Sequence, residues 1–373
     1  MSKRIDVVIL SAKFGNGHIS VTNAIKQNII DNLPELNVWK CDFYRVTNPK
    51  TYKAMYSGYR QLVKNARHVF NAYYYAKENL PFIGGLDTLS SSTYKATERA
   101  IERFQPRVII STFPVVSGYV SKYKEKTGSR IPLITVITDI VSTNEWIYPE
   151  TDYYCVATPE IKEELMLKQI QSDRILVTGI PIRKEFYEYN NDLSIECIKD
   201  IPKENKVITF VGGGLGILPD KEEDYEWLDQ ISNATTVIVT GNNDKLYQKL
   251  KEELVNKQNI IILGFTTKVH EILRRTDILV AKPGGITLFE AIVSEVPTII
   301  LKPTLGQEKE NCKYIKAMQL GIVANSPKEL RAIIESMIED EDKLQDYKEN
   351  LKYLKSRLNP EELVKTIEKL LEN

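Results

Sequence analysis

Short apolar, β-branched runs recur along this chain, and each is followed by a longer stretch with helical spacing. The runs are "RIDVVIL", "RVIIST", "LITVIT", "YYCVAT" and "RILVTG" in the first half, then "KVITFVG", "TTVIVTG", "NIIILG", "DILVAK" and "TIILKP" in the second. Strands covered on both faces read as continuous apolar runs, and their alternation with helices predicts parallel sheet. The alternation breaks once, over Glu185 to Asn205, a polar and charged stretch with no strand pattern. That break divides the chain into an N-terminal domain over 1–182 and a C-terminal domain over 203–340. The fold class is α/β: two Rossmann-like, doubly wound parallel-sheet domains. Ligands of such sheets bind beyond the carboxyl ends of the strands, so the expected site is the cleft between the domains. The chain closes on "NPEELVKTIEKLLEN". Asn359 there reads as a helix N-cap and Pro360 as the first helical residue.

Composition narrows this picture only a little. The 373 residues carry 50 basic and 50 acidic side chains, so net charge gives no reason to expect nucleic acid. Four cysteines (Cys41, Cys155, Cys197, Cys312) are scattered without paired spacing, which fits a reducing cytosol and gives no disulfide or zinc framework. The apolar run behind the basic start is too short for a signal peptide, and no stretch reaches bilayer-spanning length. The expectation is a cytoplasmic protein, with membrane contact left open.

Four stretches could carry chemistry. In "SAKFGNGHIS" two glycines follow the first strand, and the expectation is that Gly15 and Gly17 let the backbone turn tightly into a helix. Val21, Ile25, Ile29 and Leu33 give that helix its buried stripe. His18 then stands near the helix N-terminus, facing the cleft, where a neutral imidazole is favoured as a base. Ser20 occupies the place of a third glycine, so the dinucleotide fingerprint is not met. A histidine bonded only to its own loop fits the same residues.

In "FVGGGLGILPD" the glycines 212, 213, 214 and 216 follow a strand, and their exposed N–H groups can cradle phosphate, although a plain turn fits too. In "AKPGGITLFEA" the turn Pro283–Gly285 opens a helix whose amides can meet a pyrophosphate, and Glu290 follows where a carboxylate can accept ribose hydroxyls. "GQEKEN" adds Gln307 and Glu308, suited to sugar hydroxyls.

The fourth stretch, Phe43 to Lys77, holds seven Lys/Arg and no acid. Tyr52, Tyr56, Tyr59 and Phe70 fall on one helical stripe, beside a second of Lys53, Arg60, Lys64 and Arg67. An aromatic face flanked by cations suits an anionic membrane boundary, and a tyrosine-rich core helix with a solvated basic edge fits the same spacing. The acidic Asp340 and Asp342 of "EDED" follow a helical stretch and read as a solvated turn.

With these residues in view, the chain resembles the monogalactosyldiacylglycerol synthase and processive diacylglycerol glucosyltransferase family. The resemblance runs nearly the whole length, on "FGNGH", "STFP", "VITD", "TGIPIR", "LGF", "KPGGITLFEA" and "GQEKEN" in that order. It implies the GT-B fold, with the C-terminal helix 359–373 crossing back to the first domain. It implies transfer of a hexose from a UDP-sugar to diacylglycerol, with inversion, at the inner face of the cell membrane and without a metal or other cofactor. By position it makes His18 and Asp139 the catalytic residues. Gly213, Gly214, Gly284 and Gly285 would hold the diphosphate, Phe265 and Thr266 the uracil, Glu290 the ribose, and Gln307 and Glu308 the hexose. The basic-aromatic stretch becomes the membrane-docking segment, and the expected partners are UDP-glucose or UDP-galactose, diacylglycerol and an anionic membrane surface. The wording of the second-domain motifs favours glucose. A UDP-galactose-dependent synthase, a transferase to another lipid-linked acceptor, a UDP-sugar epimerase and a non-catalytic UDP-sugar sensor are the alternatives. In "TDIVSTNEW", Thr143 stands where relatives often carry a histidine, with Trp146 retained.

Overall fold

The computed structural model describes residues 5–65, 68, 71, 75, 90–188, 193–213, 216–303 and 305–372. Its contacts divide the chain into two units: residues 1–183, 305–307 and 357–373, and residues 184–304 and 308–356.

The first unit is built on strands β1 (Val7–Ser11), β2 (Val38–Asp42), β3 (Val108–Ser111), β4 (Leu133–Val136), β5 (Tyr153–Cys155) and β6 (Ile175–Leu176). They pair in parallel in the order β2-β1-β3-β4-β5-β6. The chain leaves β1 toward β2, then returns to the other side of β1 with β3. This reversal, between β1 and β3, is the switch point at which open α/β sheets leave a crevice for ligand. All five residues of β1 and all four of β3 are buried, as their unbroken apolar runs require. The segment 357–373 belongs to this unit. Arg357 meets Glu160 at 2.7 Å, the Asn359 N–H donates to the Val177 carbonyl at 2.9 Å, and Leu363, Val364 and Ile367 are buried. The last helix begins at Glu362, two residues beyond the expected start at Pro360. Asn359 instead donates its side-chain N–H to Glu362 at 2.8 Å.

The second unit has β7 (Lys206–Val211), β8 (Ala234–Val239), β9 (Ile260–Leu263), β10 (Ile278–Ala281), β11 (Thr298–Leu301) and β12 (Gly321–Ala324). Their order is β12-β11-β10-β7-β8-β9, again all parallel. Its switch point lies between β7 and β10, the strands that carry the two glycine-rich turns. One core cluster is centred on Phe210, Tyr225, Leu250, Ile278 and Ile334, all within 0% exposure.

Ten strands coincide with the ten apolar runs. The two not anticipated, β2 and β12, are both sheet edges. β2 reads "VWKCD" with only Val38 buried, and β12 reads "GIVA" with one of its four residues half-buried. An edge strand has one paired side and need not be apolar throughout, so its sequence signal is weak.

The polar stretch between the sheets has no strand among its described residues and is firmly tied. Helix Val269–Arg275 holds it with three charged side chains. Glu271, 6% exposed, accepts from the N–H of Ser194 at 2.6 Å and of Ile195 at 3.2 Å, and from the Ser194 hydroxyl at 2.7 Å. Arg274 donates to the carbonyls of Glu185 and Glu188, and Arg275 to those of Pro202 and Asn205. Backbone groups without a ladder partner must find side chains or water, and one helix supplies them here. Burial pushes the Glu271 carboxyl up, but the Ser194 and Ile195 donors outweigh it and hold it below the usual carboxylate range. The four cysteines are free, and burial pushes Cys41, Cys155 and Cys312 up to about 12, which makes them inert packing groups.

Glu271→Ala removes the acceptor of two backbone donors at once. The denaturation midpoint of the second unit is expected to fall by the equivalent of about 2–3 kcal/mol, and an unmoved midpoint would show that the linker is held by other contacts.

Candidate active site

His18 sits in the first turns of helix Asn16–Asn32, directly after β1. Val21, Ile25, Ile29 and Leu33 anchor that helix on the sheet, each 8% exposed or less. Gly15, the residue before the helix, has φ −177°, an extended conformation open to any residue, and neither it nor Gly17 adopts a positive φ. The tight-turn role expected of these glycines is therefore absent. What Gly15 contributes is open space, since a Cβ there would meet nothing within 4 Å.

The His18 ring is held from the two neighbouring strands. Its Nδ1 lies 2.9 Å from the backbone carbonyl of Thr112, just past β3, and 3.0 Å from the hydroxyl of Thr138, just past β4. A carbonyl can only accept, so Nδ1 carries the hydrogen and Nε2 keeps its lone pair. Thr22 supports the arrangement by donating to the His18 carbonyl at 2.7 Å. Its hydrogen is then used, so in the 3.0 Å Thr22–Thr112 pair the Thr112 hydroxyl donates. Phe113 stands edge-on to the imidazole at 5.0 Å. Burial is the main influence on this ring and lowers its pKa from 6.5 to about 4, against the raising effect of the Thr112 carbonyl. The neutral form expected from the helix terminus is thus present, but desolvation is its principal cause.

His18 opens onto a cavity of about 250 Å³. Phe14, Tyr44, Tyr59, Leu62, Phe113 and Trp146 form its apolar walls, and Asp139, Glu145 and Gln307 join His18 as its polar lining. Phe14 is the hub of the wall, with ring centroids 4.8 Å from Tyr56, 4.9 Å from Tyr59, 5.2 Å from Phe113 and 5.5 Å from Tyr44. The amide oxygen of Gln307 is buried and has no hydrogen-bond partner among the described residues. Thr143, where the sequence departs from its relatives, is not part of the lining; Glu145 and Trp146 are. Glu145 was not anticipated, and neither was the role of "STFP", whose Thr112 carbonyl and Phe113 ring hold the histidine. A backbone carbonyl leaves no residue-type signal, and Glu145 becomes visible only when the one-turn helix Asn144–Trp146 turns it toward the cavity.

The basic-aromatic stretch forms helix Tyr52–Asn65. Its tyrosines turn inward. Tyr56 is 6% exposed and donates to Asp42 at 2.5 Å, Tyr52 packs on Tyr56, and Tyr59 lines the cavity. The three described rings of the aromatic stripe, Tyr52, Tyr56 and Tyr59, pack on the core and the cavity wall. Lys53 is exposed. The side chains of Arg60 and Lys64, and the whole of Arg67 and Phe70, lie outside the described residues.

In the second unit the glycine-rich turn after β7 is strained in a way only glycine tolerates. Gly213 and Gly216 have φ +62° and +60°, and a Cβ on Gly216 would lie 1.9 Å from the Thr240 carbonyl oxygen. Gly214 lies outside the described residues. Across the switch point, Gly284 caps helix Gly285–Val293 with open space around it, φ −74° and no side-chain cap. No side chain of Gly284 therefore covers the helix N-terminus, an arrangement that suits an anion site. Glu290 is in this helix, one to two turns on. Phe265 is 63% exposed, and Thr266 beside it accepts from the Lys268 N–H at 3.0 Å. Glu308 follows Gln307 in helix Gly306–Ala317.

Comparison with known proteins places both units in known families. Residues 18–182 match the family model described as monogalactosyldiacylglycerol (MGDG) synthase, and residues 184–354 match glycosyl transferases group 1. The processive diacylglycerol beta-glucosyltransferase of Bacillus subtilis is 31% identical over 349 residues, covering 93% of this chain and 91% of that protein. The protein of the same name from Bacillus licheniformis is 30% identical, with 95% and 92% covered. The chain belongs to the monogalactosyldiacylglycerol synthase and processive diacylglycerol glucosyltransferase family. Its fold is GT-B, shared with MurG of Acinetobacter baumannii (TM-score 0.64, 14% identity, 98% and 99% covered). The UDP-GlcNAc 2-epimerase of Neisseria meningitidis shares it too (0.61, 16%, 99% and 100%).

The histidine geometry is directly measurable for this family member. Nitrogen-detected NMR of the His18 ring is expected to show the Nδ1–H neutral tautomer at pH 6.5, with protonation only near pH 4. A midpoint at the ordinary value near 6.5 would mean that the ring is not held and desolvated as described.

Proposed function

We propose that this chain transfers a hexose, glucose in our reading, from a UDP-sugar to the hydroxyl of diacylglycerol, with inversion at the anomeric carbon. The observation that carries the reading is the His18 ring, with its Nε2 lone pair free of the Thr112 contact and exposed to an apolar cavity. The relatives' names supply the acceptor and the sugar.

In this mechanism neutral His18 takes the proton of the lipid hydroxyl as its oxygen attacks the sugar. Such base catalysis contributes about 10²–10⁴-fold. Asp139, on the same cavity, offsets the charge that develops on the imidazole. The leaving diphosphate is received by backbone amides of the second unit, at the Gly213–Gly214 turn and at the helix opened by Gly284 and Gly285. Positioned donors of this kind stabilise developing negative charge without rearranging, so the reaction needs no metal. Phe265 and Thr266 take the uracil, Glu290 the ribose hydroxyls, and Gln307 and Glu308 the hexose.

Among the described residues no helix is long and apolar enough to cross a membrane. We place the enzyme peripherally on the inner face of the cell membrane, with Lys53 and exposed Leu62, 37% accessible at the cavity, toward the bilayer.

The deciding experiment is UDP release by purified protein given UDP-glucose, UDP-galactose or UDP-N-acetylglucosamine, with and without diacylglycerol in anionic vesicles containing EDTA. Release that requires diacylglycerol, survives the chelator and prefers UDP-glucose is the expected result. Preference for UDP-galactose would move the chain to the galactosyl branch, and release without lipid would refute the transferase reading. His18→Ala is expected to lower turnover at least about 100-fold with UDP affinity nearly intact. Gly284→Ala places a methyl in the open space at the helix N-terminus. UDP affinity is expected to fall while the melting temperature stays unchanged, and full UDP affinity would remove that turn from the donor site.

A further inference from the structure

We propose that Asn311 is a positioning residue of the donor site, holding the Pro283–Gly284 peptide in the orientation that a bound diphosphate needs. This rests on the reading of the Gly284–Gly285 turn as the diphosphate site and adds a residue which that reading does not assign.

Asn311 lies in helix Gly306–Ala317 and is 0% exposed. Its Nδ2 donates to the Pro283 carbonyl at 2.8 Å, across 28 residues of sequence. A carbonyl can only accept, so the nitrogen end of the side-chain amide faces it. The other end of the same peptide group is also held, because the Gly284 N–H donates to the Lys282 carbonyl at 2.8 Å. A peptide unit is planar, so these two bonds together fix the direction of the whole Pro283–Gly284 plane. Its oxygen points to the buried Asn311 rather than to the exposed side of the turn.

That direction matters to an anion. The Gly284 N–H is engaged within the turn, so the helix offers a diphosphate the N–H groups that begin at Gly285, which have no carbonyl one turn back to bond. Gly284 has no Cβ, and its backbone does little to resist rotation of the peptide before it. A rotated plane would swing the Pro283 oxygen out of the interior, and an oxygen beside those N–H groups repels phosphate. Asn311 prevents this with one buried hydrogen bond. The same helix carries Glu308 three residues earlier, on a neighbouring position of its face. The bond therefore also keeps the turn in register with a residue assigned to the hexose.

The test measures the Kd of UDP and of uridine, which has the uracil and ribose but no diphosphate, on wild-type protein, Asn311→Asp and Asn311→Ser. Asp has the shape of Asn but sets an acceptor oxygen against the Pro283 carbonyl, and the shorter Ser leaves that carbonyl without its donor. The ratio of the uridine Kd to the UDP Kd is expected to fall at least about tenfold in Asn311→Asp, with the uridine Kd unchanged. Asn311→Ser is expected to fall between it and wild type, and decides the matter if the Asp variant does not fold. A ratio that stays at the wild-type value, whether both ligands bind normally or both weaken in proportion, overturns the role of Asn311 alone. A wild type that binds UDP no more tightly than uridine overturns the diphosphate reading and this inference with it.

Discussion

The hydrogen bond between His18 Nδ1 and the Thr112 carbonyl exists because β1 and β3 are neighbours that the chain reaches from opposite directions. The connection after β1 runs to β2 on one side of it, and β3 pairs on the other side. The segments after β1 and β3 therefore meet at the switch point, where His18 reaches Thr112 and Phe113. The carbonyl past β3 fixes the tautomer of the imidazole past β1, and the Phe113 ring that follows it shapes the cavity. Base form, orientation and desolvation of His18 all descend from that one strand order.

The second unit meets the same topological rule with different chemistry. Its switch point carries little but backbone. Positive φ and close approach at Gly216 admit no side chain, and Gly284 puts none over the helix terminus it precedes. The first unit sets a desolvated histidine among aromatic rings at the edge of a cavity. The second presents glycine turns and an uncapped helix N-terminus, the backbone features suited to an anion. The segment joining the two sheets shows a third use of local chemistry, since charged side chains of one short helix satisfy backbone groups that no sheet is available to pair.

Legibility in the sequence followed how strongly each feature is imposed by burial. Strands covered on both faces read as apolar runs, and ten of the twelve were visible this way; two of the four edge strands, β2 with its polar "VWKCD" and β12 with its short "GIVA", were not. The stripe Val21, Ile25, Ile29 and Leu33 was visible for the same reason. The tyrosines at 52, 56 and 59 had the right period but an undecided direction. Aromatic rings serve equally at a membrane boundary and in a core, and only the packing of Tyr56 on Phe14 and Tyr44 chose between them.

The sequence by itself determined the two parallel sheets, the polar break between them, and the residue types suited to base catalysis and anion binding, because periodicity and residue chemistry are written locally. Only the tertiary structure decided that the His18 hydrogen is on Nδ1, that burial rather than the helix terminus keeps the ring neutral, and that Glu145 rather than Thr143 lines the cavity. Each of these depends on a partner distant in sequence or on the direction of a single turn, and neither a backbone carbonyl nor a turn direction is encoded by any one residue.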